Sequence, residues 1–391
     1  MSNLRIGVVG MGNRAGLARA AQQPEMGADV VLAADITERG RDRAKELFGA
    51  DIATTADYRE MFDAGLDAVV LTTPDFAHED EAVEFLKAGV SVYVEKPLAI
   101  TIEGCDRVLA AARESGTRLY VGHNMRHMPV VLQMRELITS GAIGEVKAVW
   151  CRHFVGNGGE FYYKTWHADR TKSTSLLLQK GAHDIDVIHW LAGGYTRRVS
   201  AMGALTVYGD IKEERRDNSD RLMKDWLSYN WPPSTLRDLN PVVDVEDLSM
   251  LTMSLDNGVY ATYEQCHFTP DYWRNYTVIG TEGRIENFGD MGEGVIRLWN
   301  KRTDYNPDGD KSFPIQTAQG GHGGADSAIM AEFLRFVRDG GVTNTSPVAA
   351  REAVATGVTA TVSLRSDSSA LPVPALPADL VSYFESGQQS R

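Results

Sequence analysis

The chain has 391 residues, 43% hydrophobic and 24% charged. That is ordinary globular usage and more chain than one typical domain holds, so two domains are expected and a disordered tail, a collagen or a coiled-coil rod is excluded. Lys+Arg 40 against Asp+Glu 53 gives a net charge of −13, the wrong sign for affinity built on neutralising nucleic-acid phosphates. Cys105, Cys151 and Cys266 form no CxxC pair, which reads as reduced, packed thiols and not a disulfide framework or a zinc site. The opening MSNLRIGVVG runs directly into an apolar strand without the segments of a signal peptide, and no run of about 18 apolar residues follows. A soluble, cytoplasmic protein is expected.

In chain order, the first third alternates short β-rich runs with amphipathic stretches. Strands are predicted at LRIGVVG (4–10), DVVLAAD (29–35), DAVVLTT (67–73), VSVYVEK (90–96) and RLYVGH (118–123). Between them, EDEAVEFLKAG (79–89) and GCDRVLAAARESG (104–116) carry apolar residues at helical spacing and end in Gly. This alternation builds a parallel sheet with helices on both faces, an α/β Rossmann-type domain over 1–123. The texture then changes. A proline-started helix, PVVLQMRELITSG (129–141), precedes the longer alternating segments EVKAVWCRHFV, LSMLTMSLDNGVYATYEQCHF and RNYTVIGTEGRIENF, which read as antiparallel strands. Residues 124–391 are therefore read as an α+β domain with a large, open, mainly antiparallel sheet, which two late helices, ADSAIMAEFLRFVRDG and PVAAREAVATGVTATVSLRSD, return to cover at the edge of the fold. One segment, about 207–243, resists this scheme. It is dense in charge, then carries Trp226, Trp231 and Pro232-Pro233, and a loop of that length in a compact domain is usually a lid or an oligomer contact unless it is disordered.

Gly10-Met11-Gly12-Asn13-Arg14-Ala15 follows the first strand and opens a helix. In that setting Gly10 allows a tight turn, Gly12 lets backbone approach a pyrophosphate, and the small Ala15 lets the helix pack closely. Alone, the pattern is also that of an ordinary glycine turn. Asp35 ends the second strand, where a carboxylate accepts hydrogen bonds from an adenosine ribose and repels a 2′-phosphate, so NAD is favoured over NADP. Arg39, shortly after, serves either a phosphate or an adenine face, or is a surface residue.

Further motifs follow in order: Thr72-Thr73-Pro74-Asp75 with His78, Glu95-Lys96-Pro97, Asn124-Met125-Arg126-His127-Met128-Pro129, Gly181-Ala182-His183-Asp184-Ile185-Asp186 with Trp190, and Gly321-His322-Gly323-Gly324-Ala325-Asp326. Together with the fingerprint they resemble the glucose-fructose oxidoreductase, inositol dehydrogenase and MocA family over nearly the whole chain. The resemblance implies a Rossmann domain followed by an open-sheet domain, with nicotinamide and a sugar or polyol meeting between them. It also implies a homo-oligomer formed through the open sheet. It assigns the cofactor to Gly10, Gly12, Asn13, Arg14, Ala15, Asp35, Arg39, Thr73, Pro74, His78, Glu95, Lys96 and Asn124.

Lys96 at a strand's carboxyl end lies where such sheets bind ligands, and a cation there stabilises the alkoxide that precedes hydride loss. His183 matches the family's proton-transferring histidine, an imidazole suited to that role, although it and His189 are also readable as core histidines beside Trp190. A metal held by His183, Asp186 and His189 is not expected, because steps of three spread these side chains around a helix. The chain departs from the family at Gln179, where polyol-using members carry an aspartate. Glutamine is no base, so proton transfer rests on His183, Lys96, Lys180 or the aromatic stretch 161–167.

That stretch, with Tyr163, Lys164, Trp166 and His167, is read as substrate-lining together with Arg126, Arg170, His183 and His322, or else as an aromatic-anchored surface loop. The cations Arg126, Lys164, Arg170, Lys172 and Lys180 suggest an acidic sugar, such as a uronate or sulfosugar; exposed faces balancing nearby acids are the plainer account. The leading expectation is an NAD-dependent dehydrogenase acting on a hydroxyl-bearing ring carbon, the 3-position being the one expected. A redox-neutral NAD-dependent glycosidase is the alternative, and a non-enzymatic NAD sensor a lesser one.

Overall fold

The structure, a computed structural model, describes residues 3–24, 27–156, 158–219, 221–225, 231–316 and 321–388. Trp226 lies outside the described residues. The strands are β1 (Leu4–Val9), β2 (Ala28–Ala34), β3 (Ala53–Thr55), β4 (Ala68–Leu71), β5 (Ser91–Glu95), β6 (Leu119–Gly122), β7 (Val146–Phe154), β8 (Thr196–Ala204), β9 (Leu248–Leu255), β10 (Tyr260–Cys266), β11 (Trp273–Gly280), β12 (Arg284–Phe288), β13 (Val295–Trp299), β14 (Lys311–Pro314) and β15 (Leu371–Pro372). The helices are α1 (Ala15–Ala18), α2 (Glu38–Phe48), α3 (His78–Lys87), α4 (Ile102–Ser115), α5 (Pro129–Thr139), α6 (Gly158–Lys164), α7 (Arg170–Ser173), α8 (Leu176–Gln179), α9 (Gly181–Ala192), α10 (Ala325–Asp339), α11 (Pro347–Leu364) and α12 (Ala378–Glu385). Among the described residues no helix is long and apolar enough to cross a membrane.

Two compact units result. The first comprises residues 1–127, 320–351 and 376–391. Its six parallel strands run in the order β3-β2-β1-β4-β5-β6, so the order reverses between β1 and β4, the switch point outside which such sheets bind ligands. The five predicted strands are all present, and β3, three residues long, is the one that periodicity missed. The unit also takes in two C-terminal segments that no local pattern assigns to it. Ile329, Met330, Phe333 and Phe336 of α10 join Val8, Ala15, Val70, Tyr93 and Tyr120 in one core. After α12, the Gln388 side chain accepts from the Leu119 amide (2.8 Å) and donates to its carbonyl (2.7 Å), capping edge strand β6.

The second unit comprises residues 128–319 and 352–375. Nine strands lie in the order β14-β13-β12-β11-β7-β10-β9-β8-β15, antiparallel except for the parallel pair β7 and β10. The alternation is strict in the central strands: Val149, Cys151, His153, Ala261, Tyr263 and Gln265 are buried on one face, while Trp150 and Tyr260 stand on the other with 49% and 69% exposure. The 207–243 insertion docks on the unit through its own small core, in which Tyr208, Ile211, Leu236 and Leu239 pack with Tyr162, Tyr163 and Leu176. Asp247 fixes its start by accepting from the amides of Thr206, Val207 and Tyr208.

The rings of Phe333 and of Tyr93 and Tyr120 lie 5.4 and 5.6 Å apart, and Phe333 is fully buried. Phe333→Ala should cost about 3–5 kcal/mol. Hydrogen exchange should report the loss in the amides of β5 and β6 and leave those of β9 and β10 unchanged.

Candidate active site

In the first unit the fingerprint turn leaves β1 with Gly10 at φ +86°, and a Cβ there would fall 2.7 Å from the Thr73 amide nitrogen. Only glycine combines that φ with so close an approach to the end of β4. A Cβ on Gly12 would meet nothing within 4 Å. This open face is the space a pyrophosphate needs, so the residues present fit a dinucleotide. Asp35 reaches back from β2 to accept from the Met11 amide (2.7 Å), while its other oxygen accepts from the amide and hydroxyl of Thr37. Arg43, unmarked in the sequence, donates to the carbonyls of Met11 and Gly12; it lies four residues beyond the exposed Arg39 on α2, a spacing that puts both on one face.

The ends of β4 and β5 are tied together by His78. Its buried ring faces the Pro97 carbonyl through Nδ1 (2.7 Å) and the Thr73 carbonyl through Nε2 (3.0 Å). Burial lowers its pKa, so the neutral ring donates to one carbonyl at a time. Between these loops lie Pro74 and the cis Lys96-Pro97 peptide. Glu95 accepts from Arg14 through Nε (3.1 Å) and Nη2 (2.8 Å), and Lys96 follows it directly at the mouth of the sheet.

Arg14 has a second carboxylate partner, Asp326 of α10, at 3.2 Å to each oxygen. Asp326 also accepts from Asn124 Nδ2 (3.0 Å) and His322 Nδ1 (3.1 Å). Burial opposes its ionisation, but the His322 hydrogen bond and the Arg14 charge hold its carboxyl well below the usual carboxylate range. Four separate stretches of chain, around Arg14, Glu95, Asn124 and Asp326, thus meet in one ion cluster inside one unit. Arg126, two residues after Asn124, is buried and donates to the Asn344 carbonyl (2.8 Å).

In the second unit His183 is partly exposed on the first turn of α9, and its neighbour Asp184 is fully buried against the sheet. The Asp184 carboxylate accepts from His153 Nδ1 (3.0 Å), Tyr263 (3.1 Å) and Tyr276, and is ion-paired with Arg274, whose Nε lies 3.1 Å away. Burial alone would raise its pKa; Arg274 first, then His153, hold it well below the ordinary range. Burial and Arg274 push His153 down to about 3, so that ring is neutral. None of these sheet partners was marked by the sequence, because each is a single polar residue on an alternating strand. Asp186 is buried on α9, and His189 faces Thr196 Oγ1 at 2.7 Å as a core histidine.

Gln179 is buried at the end of α8, and Lys180 Nζ lies 5.6 Å from the centroid of the Tyr162 ring. Tyr163 is fully buried, stacked on Tyr208 of the insertion at 4.1 Å. Lys164 is buried against Glu160 (2.7 Å), Trp166 stacks on His167 (3.7 Å), and Arg170 pairs with Asp244 (3.0 Å). His267, also unmarked, is fully buried with its ring edge-on to Tyr162.

Glu81 on α3 accepts from the Thr73 hydroxyl (2.6 Å) at the end of β4. Burial, only partly opposed by that hydrogen bond, pushes its pKa from 4.5 up to about 7. The folded state therefore binds this proton more tightly than the unfolded chain does. Stability is fullest below pH 4.5 and is lost as pH rises towards 7. Glu81→Gln, which keeps an acceptor for Thr73, should leave urea stability at pH 4 unchanged and raise it at pH 8 by about 2–3 kcal/mol.

Residues 4–123 match the profile described as "Oxidoreductase family, NAD-binding Rossmann fold", and residues 131–286 match the GFO/IDH/MocA C-terminal domain. The 2,7-anhydro-N-acetylneuraminate hydratase of Mediterraneibacter gnavus is 28% identical over 246 residues, 59% of this chain and 64% of that protein. The inositol 2-dehydrogenase of Salmonella typhimurium is 31% identical over 192 residues, 48% of this chain and 54% of that one. The alignments thus span about half to two thirds of these relatives. Among solved structures, levoglucosan dehydrogenase in complex with NADH and levoglucosan superposes with a TM-score of 0.78 at 20% identity, covering 95% of this chain and all of that one, which is a likeness of fold. The two profile matches, one for each domain and in family order, carry the assignment: the chain belongs to the Gfo/Idh/MocA family of oxidoreductases, with an NAD-binding Rossmann domain at its N-terminal end.

Proposed function

We propose that the protein is an NAD-dependent dehydrogenase of a neutral sugar or sugar alcohol, oxidising a ring carbon that bears a hydroxyl. The observation that carries this reading is the meeting, at the carboxyl ends of β1, β4 and β5, of the open Gly12 turn, Thr73 and the Glu95-Lys96-Pro97 loop. NAD, when bound, accepts the hydride. Lys96 holds the reacting oxygen and stabilises its developing charge. The names of the relatives, an inositol dehydrogenase and a levoglucosan dehydrogenase, support a polyhydroxylated ring as substrate.

A neutral ring is preferred to an acidic one because three cations of the proposed pocket segments are committed within the protein. Lys164 is paired with Glu160, Arg170 with Asp244, and Arg126 lies on a carbonyl. A redox-neutral reaction on a glycoside is the second reading, favoured by Gln179 in the aspartate position and by the hydratase among the relatives. The uncovered face of the second sheet, carrying Trp150, Met202, Met250 and Tyr260, suits contact between two copies of the chain.

A panel of neutral sugars, inositols, uronates and nitrophenyl glycosides with NAD and NADP should yield NADH, and little NADPH, from a neutral polyol. Aglycone release without NADH would replace this reading with the second one. Lys96→Ala should lower turnover roughly 10²- to 10⁴-fold with NADH affinity retained. Light scattering should find more than one copy per particle, and Trp150→Glu should shift the protein towards monomer.

A further inference from the structure

Oxidation of an alcohol releases one proton besides the hydride. The family pattern gives that proton to His183, helped by an aspartate that this chain replaces with the buried Gln179. Most other histidines have no room for such work. His78 is clamped between two carbonyls, His127 is buried beside Glu332, His153 has Arg274 at Nε2, His167 faces Thr165, His189 faces Thr196, and His267 is fully buried.

His322 is built differently. Its Nδ1 lies 3.1 Å from Asp326, and its side chain is 47% exposed. A carboxylate only accepts, so Nδ1 carries the proton and the lone pair stands on Nε2, for which no hydrogen bond is found among the described residues. The backbone is held for this purpose: His322 has φ +50°, followed by Gly323 and Gly324 at +64° and +85°. A non-glycine residue in the left-handed region is strained, and such strain persists where the surroundings impose it. Here the imposing groups are the Asp326 hydrogen bond and the amides of Gly324 and Asp326, which donate to the Gly321 carbonyl at 3.2 and 3.4 Å. Asp326 is in turn fixed by Arg14, whose other partner is Glu95, the residue before Lys96. One ion cluster thus carries the imidazole and the lysine loop together, inside a single unit.

We propose that His322, oriented by Asp326, is the general base of the reaction and supplies the acid–base group missing at position 179. In the step, the substrate O–H bond breaks and its proton forms Nε2–H. The O–H electron pair becomes the second bond of the carbonyl as hydride leaves the same carbon for NAD. Asp326 supplies the counter-charge of the imidazolium, and the proton passes from the exposed ring to water. The charged groups around the ring are Asp326 and, behind it, Arg14 and Glu95. This inference rests on the dehydrogenase reading.

The experiment compares pH profiles of kcat/KM for the unaltered protein, His322→Ala and His183→Ala on the sugar found in the panel, with NADH affinity measured by fluorescence. His322→Ala should lose roughly 10²- to 10⁴-fold in kcat/KM, lose the acidic limb of the profile, regain rate with added imidazole, and bind NADH as before. His183→Ala should be slower but keep the limb. Nitrogen-15 spectra of histidine-labelled protein should show His322 as the Nδ1–H tautomer. A limb that persists in His322→Ala and vanishes in His183→Ala overturns the proposal, as does an Nε2–H tautomer. A protein that binds NADH yet reduces NAD with no sugar overturns the dehydrogenase reading, and this inference with it.

Discussion

The first unit is organised around the guanidinium of Arg14. Its fork takes Glu95 on one side and Asp326 on the other, partners 81 and 312 residues away. Two carboxylates brought so near each other repel, and the planar cation between them turns that repulsion into a bridge. Remove the cation and the carboxylates part, loosening the end of β5, the turn after β1 and the start of α10 at once. The pair is partly open, with Arg14 side-chain exposure at 32%, so solvent screens part of the attraction and the cluster acts more through geometry than through raw stability. Its value lies in register, since the dinucleotide turn, the lysine loop and His322 are each held to a common point.

The second unit has a counterpart of opposite character. Asp184 is fully buried, and its partners are supplied by the sheet: Cys151 and His153 from β7, Tyr263 from β10, Arg274 and Tyr276 from β11. A lone carboxylate in that position would be prohibitive; with Arg274 opposite and neutral donors filling its lone pairs it is satisfied. His153 completes the logic. Its neutral ring donates from Nδ1 to Asp184 and offers Nε2 to Arg274 at 3.3 Å, so one imidazole serves both ions. Because Asp184 is the residue after His183, this network fixes the first turn of α9, and with it the direction of the His183 side chain. The two clusters divide the labour: the closed one sets a helix, and the open one ties together the loops at the carboxyl ends of the first sheet.

How much of this was legible in the sequence follows from what each signal encodes. Strand and helix texture is local, and it placed β1, β2, β4, β5 and β6, the β9–β10 and β11–β12 hairpins, and α10 and α11 close to their observed bounds. The turn residues Gly10 and Gly12 were readable because their constraint is a missing Cβ. Pairing over long sequence separation leaves no such trace. Nothing near Asp326 marks it as the partner of Arg14, and nothing in α10 announces that its apolar stripe packs under the first sheet and not the second. The 161–167 stretch shows the same limit from the other side. Its aromatics read as a ligand wall, but Tyr163 stacks on Tyr208, so at least part of that wall anchors the insertion. Composition identifies a sticky surface without naming what adheres to it.

Charge is the signal whose meaning depends most on the fold, for a physical reason. A run of cations in an acidic chain looks like a recruited anion site, yet a protein of net −13 has abundant carboxylates with which to pair each one. Glu160 lies one helical turn before Lys164, a spacing that puts both on one face of α6. Asp244 follows directly after the insertion, folded back onto Arg170. The first pairing could be inferred from the sequence; the second needed the fold. Once both are drawn, two of the segment's cations, Lys164 and Arg170, are answered by carboxylates of the same unit. A cation whose charge is answered inside the protein still offers hydrogen bonds but no net field, so charge counted along a sequence is no measure of charge offered to a ligand.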